Sequence, residues 1–155
     1  HLCDRRQRQM CIRDRDGLGN ALLMDDSNVP NLMSAPYLGF CEADDPLYLE
    51  TRNTLLSQEN PYYFEGDYAH AIGSPHTPEG YVWPIAMAMQ GLTSHDKAEK
   101  ERILDQLVAA DAGTHLMHES FDANDPNSYT RPWFSWANMM FCELVMDYFG
   151  IHVKL

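Results

Sequence analysis

Three stretches with helical periodicity constrain this chain more than any other feature. Residues 81–93 carry Val82, Trp83, Ile85, Ala86, Met87, Ala88, Met89 and Leu92, apolar on nearly every face, and 133–149 is apolar almost all round as well. Helices of that kind are buried on all sides. Between them, 97–110 places Ile103, Leu104, Leu107 and Val108 on one stripe opposite Lys100, Glu101 and Asp105, behind a capping-box-like start at Asp96 and Glu99, which predicts a surface helix. A short link at 94–96 and long connections over 59–80 and 111–132 join the segments in alternation. An inner ring of helices wrapped by an outer ring gives that order, so the expected fold is all-α, a segment of an α/α toroid. Two more helices are expected: 31–40, kinked at Pro36 and closing near Gly39, and 46–57, capped by Asp45 with Pro46 at the first helical position. Gly17 and Gly19 form a turn feeding a brief strand before Met24.

Charge narrows the partners. The 155 residues hold 11 Lys+Arg against 23 Asp+Glu, a net charge of -12. Such a surface repels phosphate, which argues against nucleic acid and anionic membranes as partners. The apolar stretch 133–149 carries Asn138, Glu143 and Asp147 and is shorter than the roughly 20 apolar residues of a membrane span.

The charge is uneven, however: Arg5, Arg6, Arg8, Arg13 and Arg15 against Asp4 and Asp14 leave residues 1–15 at +3 and the remainder at -15. This arm has no apolar core of a signal peptide and no Ser-rich transit pattern. Read back into codons, Met10-Cys11-Ile12-Arg13-Asp14-Arg15 and Arg5-Arg6-Gln7-Arg8-Gln9 resemble a transposon-based sequencing adapter. Residues 1–15 are therefore expected to be a non-native, adapter-derived segment, with 16–155 native sequence that starts in mid-gene, so that the true N-terminus is missing. Compartment cannot be read from any leader. Removing the arm leaves Cys41 and Cys142, without the spacing of a zinc site or a redox pair.

Long loops inside a compact domain are usually functional. Here the loop 25–30 and the two long connections all precede an inner helix, so they are expected to meet at one mouth of the ring. They hold Asp25, Asp26, His76, His118, Glu119 and Arg131, with Trp83, Trp133 and Trp136 beside them. Carboxylates with flat aromatic faces suit a sugar, whose C–H faces stack on rings, and glycosidic cleavage uses a carboxylate pair. The rival is a metal site at His115, His118 and Glu119, but this run lacks the His-Glu-x-x-His order. Asn138, near the rim of an apolar helix, is a candidate ligand contact, whereas Glu143 is expected to satisfy a helix end elsewhere.

Four ordered motifs then carry a resemblance: Met24-Asp25-Asp26-Ser27-Asn28-Val29-Pro30, Ile72-Gly73-Ser74-Pro75-His76-Thr77-Pro78, Met117-His118-Glu119-Ser120-Phe121 and Trp133-Phe134-Ser135-Trp136-Ala137-Asn138. Together they resemble glycoside hydrolase family 125, over residue 16 to about 149. The resemblance implies an (α/α)6 barrel of which this chain is the C-terminal part. It also implies an inverting exo-α-1,6-mannosidase that releases terminal mannose from α-1,6-linked mannosides or N-glycan-derived oligosaccharides, with no metal and no cofactor. Glu119 is then the general base. The general acid lies upstream of residue 16, so the isolated chain is expected neither to fold stably nor to hydrolyse mannosides. Asp25, Asp26, Asn28, His76, His118, Arg131, Trp136 and Asn138 are the implied substrate-pocket residues. The competing class is a non-catalytic carbohydrate-binding helical module.

Overall fold

The computed structural model describes residues 13–15, 17–19 and 21–151; positions 1–12 of the arm read as adapter lie outside the described residues. In chain order the elements are β1 (Arg13–Arg15), β2 (Ala21–Leu23), α1 (Pro46–Leu55), β3 (Tyr63–Glu65), β4 (His70–Ile72), β5 (Tyr81–Val82), α2 (Pro84–Leu92), α3 (Lys97–Ala109), β6 (Ser120–Asp122), β7 (Tyr129–Thr130) and α4 (Ser135–Tyr148). The chain is mainly helical, and its short antiparallel strands correct the all-α expectation. β1 pairs with β2, β3 with β4, and β5, β6 and β7 form a three-stranded sheet. The strands are two or three residues long, below the length at which alternation shows in a sequence.

Helices α2, α3 and α4 pack on one another around the core. As expected, α2 is enclosed: every residue from Pro84 to Gly91 is buried. At its crossing with α4, a Cβ on Gly91 would stand 2.7 Å from Leu144 Cδ1, so glycine sets how closely these helices approach. Ile103 and Leu107 of α3 and Leu144 of α4 are 0–1% exposed, and burying each contributes about 1.5–3 kcal/mol. Val108 turns outward at 58% exposure, so the α3 stripe is narrower than the sequence pattern.

The other apolar helix differs from expectation. Along α4 only Ala137, Met140 and Leu144 are buried, while Trp136, Met139 and Cys142 face solvent. Its neighbours α2 and α3 cover one side only.

The helix expected over 31–40 is a series of turns. Side chains take the backbone groups a helix would pair: Leu32 N–H donates to Asp25 Oδ2 (2.9 Å), Ser34 N–H to Asn31 Oδ1 (3.0 Å) and Asn31 N–H to Ser34 Oγ (2.9 Å). Such local bonds compete with helix, and Pro36 has no N–H to continue one. Three boundaries move as well. Helix α1 ends at Leu55, with Asp45 capping Leu47 and Tyr48. Tyr81 and Val82 pair with Asp122 and Phe121, so α2 starts only at Pro84, and α4 starts at Ser135. At α3, Asp96 caps Ala98, but Glu99 does not complete a capping box: Asp96 N–H goes to Ser94 Oγ, and Glu99 joins Ser94, Arg52 and Gln90.

Candidate active site

Hydrogen bonds tie the three expected loops together. Ser27 N–H donates to Gly73 O (3.0 Å), and Gly73 bridges to Val82 at the end of β5. β5 pairs with β6, and Tyr68 and Ala69 N–H donate to Ala123 O (3.0 and 2.9 Å) beyond it. No room exists at these joints for side chains: a Cβ on Gly73 would stand 2.2 Å from Tyr81 O, and one on Gly66 2.3 Å from Ala123 O.

The first cluster is built on Asp25 and Asp26. Asn60, 1% exposed, uses its amide as a surrogate peptide: Oδ1 accepts from Asp25 N–H (3.2 Å) while Nδ2 donates to Asp25 O (2.9 Å) and to Leu55 O at the end of α1 (3.1 Å). Burial pushes the Asp25 carboxyl up to about 6; the Leu32 N–H opposes this and the Asp26 charge adds to it. Asp26 accepts from Asn28 N–H (3.0 Å), Asn28 Nδ2 (2.7 Å) and Ser74 Oγ (3.2 Å). His76 is exposed, and its backbone N–H rests on the same Ser74 hydroxyl (3.3 Å). Asp26, Asn28 and the His76 loop are thus brought together, with Ser74 at the junction.

The second cluster is built on Glu119, whose side chain is 13% exposed. Its Oε2 accepts from Thr130 Oγ1 (3.2 Å) and pairs with Arg131 Nε (3.3 Å), and its backbone N–H donates to Thr130 O (3.3 Å). The preceding residue, His118, is 1% exposed and lies parallel to Tyr129, with ring centroids 3.8 Å apart. Before that, Met117 is clamped by Asn138: Oδ1 accepts Met117 N–H (3.1 Å), and Nδ2 donates to Met117 O (3.2 Å) and Phe134 O (2.7 Å). Both amide donors of Asn138 are therefore used on backbone, so its work is to fix the Met117-His118-Glu119 run.

Trp83 stands between the clusters. Its Nε1 donates to Thr77 Oγ1 (2.9 Å) in the Ser74 loop, and its ring meets Phe134 edge to face at 6.2 Å. Phe134 in turn lies 5.6 Å under the Arg131 guanidinium and 6.4 Å from Trp136, which is 40% exposed. The residues of the rival metal reading and Glu143 can be placed as well. His115 pairs with Asp111 at the surface (3.1 Å) instead of gathering with His118 and Glu119, and among the described residues no group of three or more His, Cys, Asp or Glu side chains is placed to hold a metal ion. Glu143 accepts the Tyr37 hydroxyl (2.9 Å), not a helix end. Among the described residues, no helix is long and apolar enough to cross a membrane.

Sequence reasoning did not single out Asn60, Ser74, Thr77, Tyr129 or Thr130. Ser74 and Thr77 lie inside a quoted motif, and Thr130 sits beside Arg131. Their uncharged polar groups act through partners that only the folded chain supplies.

The chain is 53% identical over 133 residues to the meiotically up-regulated gene 157 protein of Schizosaccharomyces pombe, covering 85% of this chain and 26% of that protein. A solved structure from Streptococcus pneumoniae, a metal-independent alpha-mannosidase in a non-productive complex with alpha-1,6-mannobiose, is 62% identical with a TM-score of 0.84, covering 90% of this chain and 33% of that one. The chain thus spans about a quarter of the first relative and a third of the second. Residues 6–146 match the model of the metal-independent alpha-mannosidases, a span that begins within the basic arm, and the chain belongs to that family, GH125.

Proposed function

We propose that this chain is the C-terminal portion of an inverting exo-α-1,6-mannosidase with an (α/α)6 barrel, acting on terminal α-1,6-linked mannose of mannosides or N-glycan-derived oligosaccharides. The observation that carries the reading is the carboxylate of Glu119: it is largely enclosed and, among the described residues, anchored through Oε2 and not Oε1, so that Oε1 is available to a water molecule. In this reading Glu119 deprotonates the water attacking C1 from the face opposite the leaving group. A general acid from sequence upstream of residue 16 protonates the glycosidic oxygen. Inverting pairs stand roughly 6.5–9.5 Å apart to admit that water. Family membership and the mannobiose complex of the solved relative support the substrate class. Trp136 and His76, both exposed beside the two clusters, remain the candidate sugar contacts, with Asp25, Asp26 and Asn28 ordering the loop beneath them.

The test is Glu119→Gln in the intact protein. Turnover of α-1,6-mannobiose should fall by about 10³-fold, within the range for removal of a general base, while mannose binding measured by calorimetry stays nearly unchanged. Preserved turnover with lost binding would remove Glu119 from the role. Hydrolysis should also survive a chelator, and NMR of the first product should show the inverted anomer. The 155-residue chain alone should release no mannose, because its general acid is supplied from outside it.

A further inference from the structure

The family resemblance implies Arg131 as a substrate-pocket residue, but its surroundings place it on the carboxylate. Its Nε stands 3.3 Å from Oε2 of Glu119, the same oxygen that accepts from Thr130 Oγ1 at 3.2 Å. Thr130 Oγ1 also meets Ser120 Oγ at 2.7 Å; if the serine hydroxyl donates there, the threonine hydrogen is directed to Glu119. The guanidinium lies 5.6 Å over the Phe134 ring, and Phe134 is itself held by its N–H on Met117 O (3.0 Å) and by Trp83. The backbone points the same way. Arg131 has φ +46°, the left-handed region, although it is neither glycine nor asparagine and precedes Pro132, a position that favours extended backbone. Such conformations persist where the surroundings over-determine them, and they cluster at functional sites.

We propose that Arg131 is a positioning residue for Glu119, not a sugar contact: with Thr130 it holds Oε2 and so selects Oε1 as the oxygen that receives the proton. This rests on the reading of Glu119 as general base. In the step, the water oxygen bonds to C1 as the C1–glycosidic oxygen bond breaks. The water's proton passes to Oε1, and the leaving oxygen takes a proton from the general acid.

The experiment compares Arg131→Ala, Arg131→Lys and Thr130→Val in the intact enzyme on α-1,6-mannobiose. Arg131→Ala should lower kcat by roughly ten- to 10²-fold, the scale of a misplaced catalytic group, with KM within about twofold. Added guanidinium should restore part of that kcat and leave the unsubstituted enzyme unaffected. Thr130→Val should lower kcat less, and the double variant should lose less than the product of the two, since both groups hold one oxygen. Should Arg131→Ala fail to fold, Arg131→Lys carries the test, because an ammonium keeps the charge without the fixed Nε; kcat should fall and KM hold. A rise in KM with kcat preserved would make Arg131 a sugar contact and overturn the proposal, as would kcat unchanged in the variants. If Glu119→Gln retains turnover, the general-base reading itself fails. If Glu119→Gln is inactive and Arg131→Ala changes KM alone, only the inference about Arg131 fails.

Discussion

Asp25 and Glu99 are both carboxylates drawn part-way into the protein, one in the loop before the turns of 31–40 and one at the first turn of α3. Their surroundings send them in opposite directions. Asp25 receives a backbone N–H from Leu32 and, among the described residues, has the like charge of Asp26 and no cation beside it, and burial pushes it up to about 6. Burial also pushes the Glu99 carboxyl up, yet hydrogen bonds from Ser94, Arg52 and Gln90 together with the guanidinium charge outweigh it, and the group is held below its ordinary range. Depth alone therefore says little about charge; the donors supplied by neighbouring elements decide it. The Glu99 node also joins three helices, since Arg52 comes from α1 and also donates to Gln90 O (3.2 Å), Gln90 comes from α2, and Glu99 from α3.

Removing the cation from that node should give the largest effect. In the intact protein, Arg52→Ala leaves Glu99 with the more distant Arg102 guanidinium (4.0 Å) as its cation and should cost about 3 kcal/mol, read as a lowered urea midpoint, since truncating one partner of a largely enclosed pair strands much of a charge. A loss below half that size would mean that Ser94, Gln90 and Arg102 suffice, and the contrast with Asp25 would weaken. The next effect is on pH dependence. Because the folded-state pKa of Asp25 lies above 3.8, the folded protein holds a proton that the unfolded chain releases, so stability from this group falls as pH rises from about 4 to 6, by about 2 kcal/mol. Glu99 has the opposite sign: its contribution is present above 4.5 and is lost as pH falls through its lowered folded value. Urea midpoints between pH 3 and 7 should show both limbs, and Asp25→Asn should flatten only the upper one. An upper limb unchanged by that substitution would assign it to another group. The smallest effect is expected at a third carboxylate, Glu143, whose partner Tyr37 is exposed; Tyr37→Phe should shift the midpoint by less than about 0.5 kcal/mol, and a larger loss would show that surface pairing matters here too.

The parts of the fold legible in the sequence were those governed by periodicity. Helices α2, α3 and α4 fall inside the expected ranges because their apolar spacing spans several turns, and Asp45-Pro46 marks the start of α1 to the residue. The turns of 31–40 were not legible, since Asn31, Ser34 and the distant Asp25 take the backbone groups that periodicity assigns to a helix. The exposed face of α4 was misread as buried because composition reports what a surface prefers to touch, not what lies against it in this chain. At the candidate site, motifs pointed to Glu119, Asp26 and Asn28. The supports Asn60, Ser74 and Thr130 were not singled out because a small amide or hydroxyl acquires its role from a partner up to 48 residues away, as Ser74 does from Asp26.

Gly73 gives the site region a dependence that no inventory of side chains would reveal. Its carbonyl receives Ser27, its N–H reaches Tyr62 O (2.8 Å), and its missing Cβ is the space in which Tyr81 O and the Phe64 ring already lie. What the sequence specifies there is a void of one methyl group. A single added carbon would act as a wedge between the aspartate loop and the sheet that begins next to Glu119, spreading the two clusters from a position that has no side chain of its own.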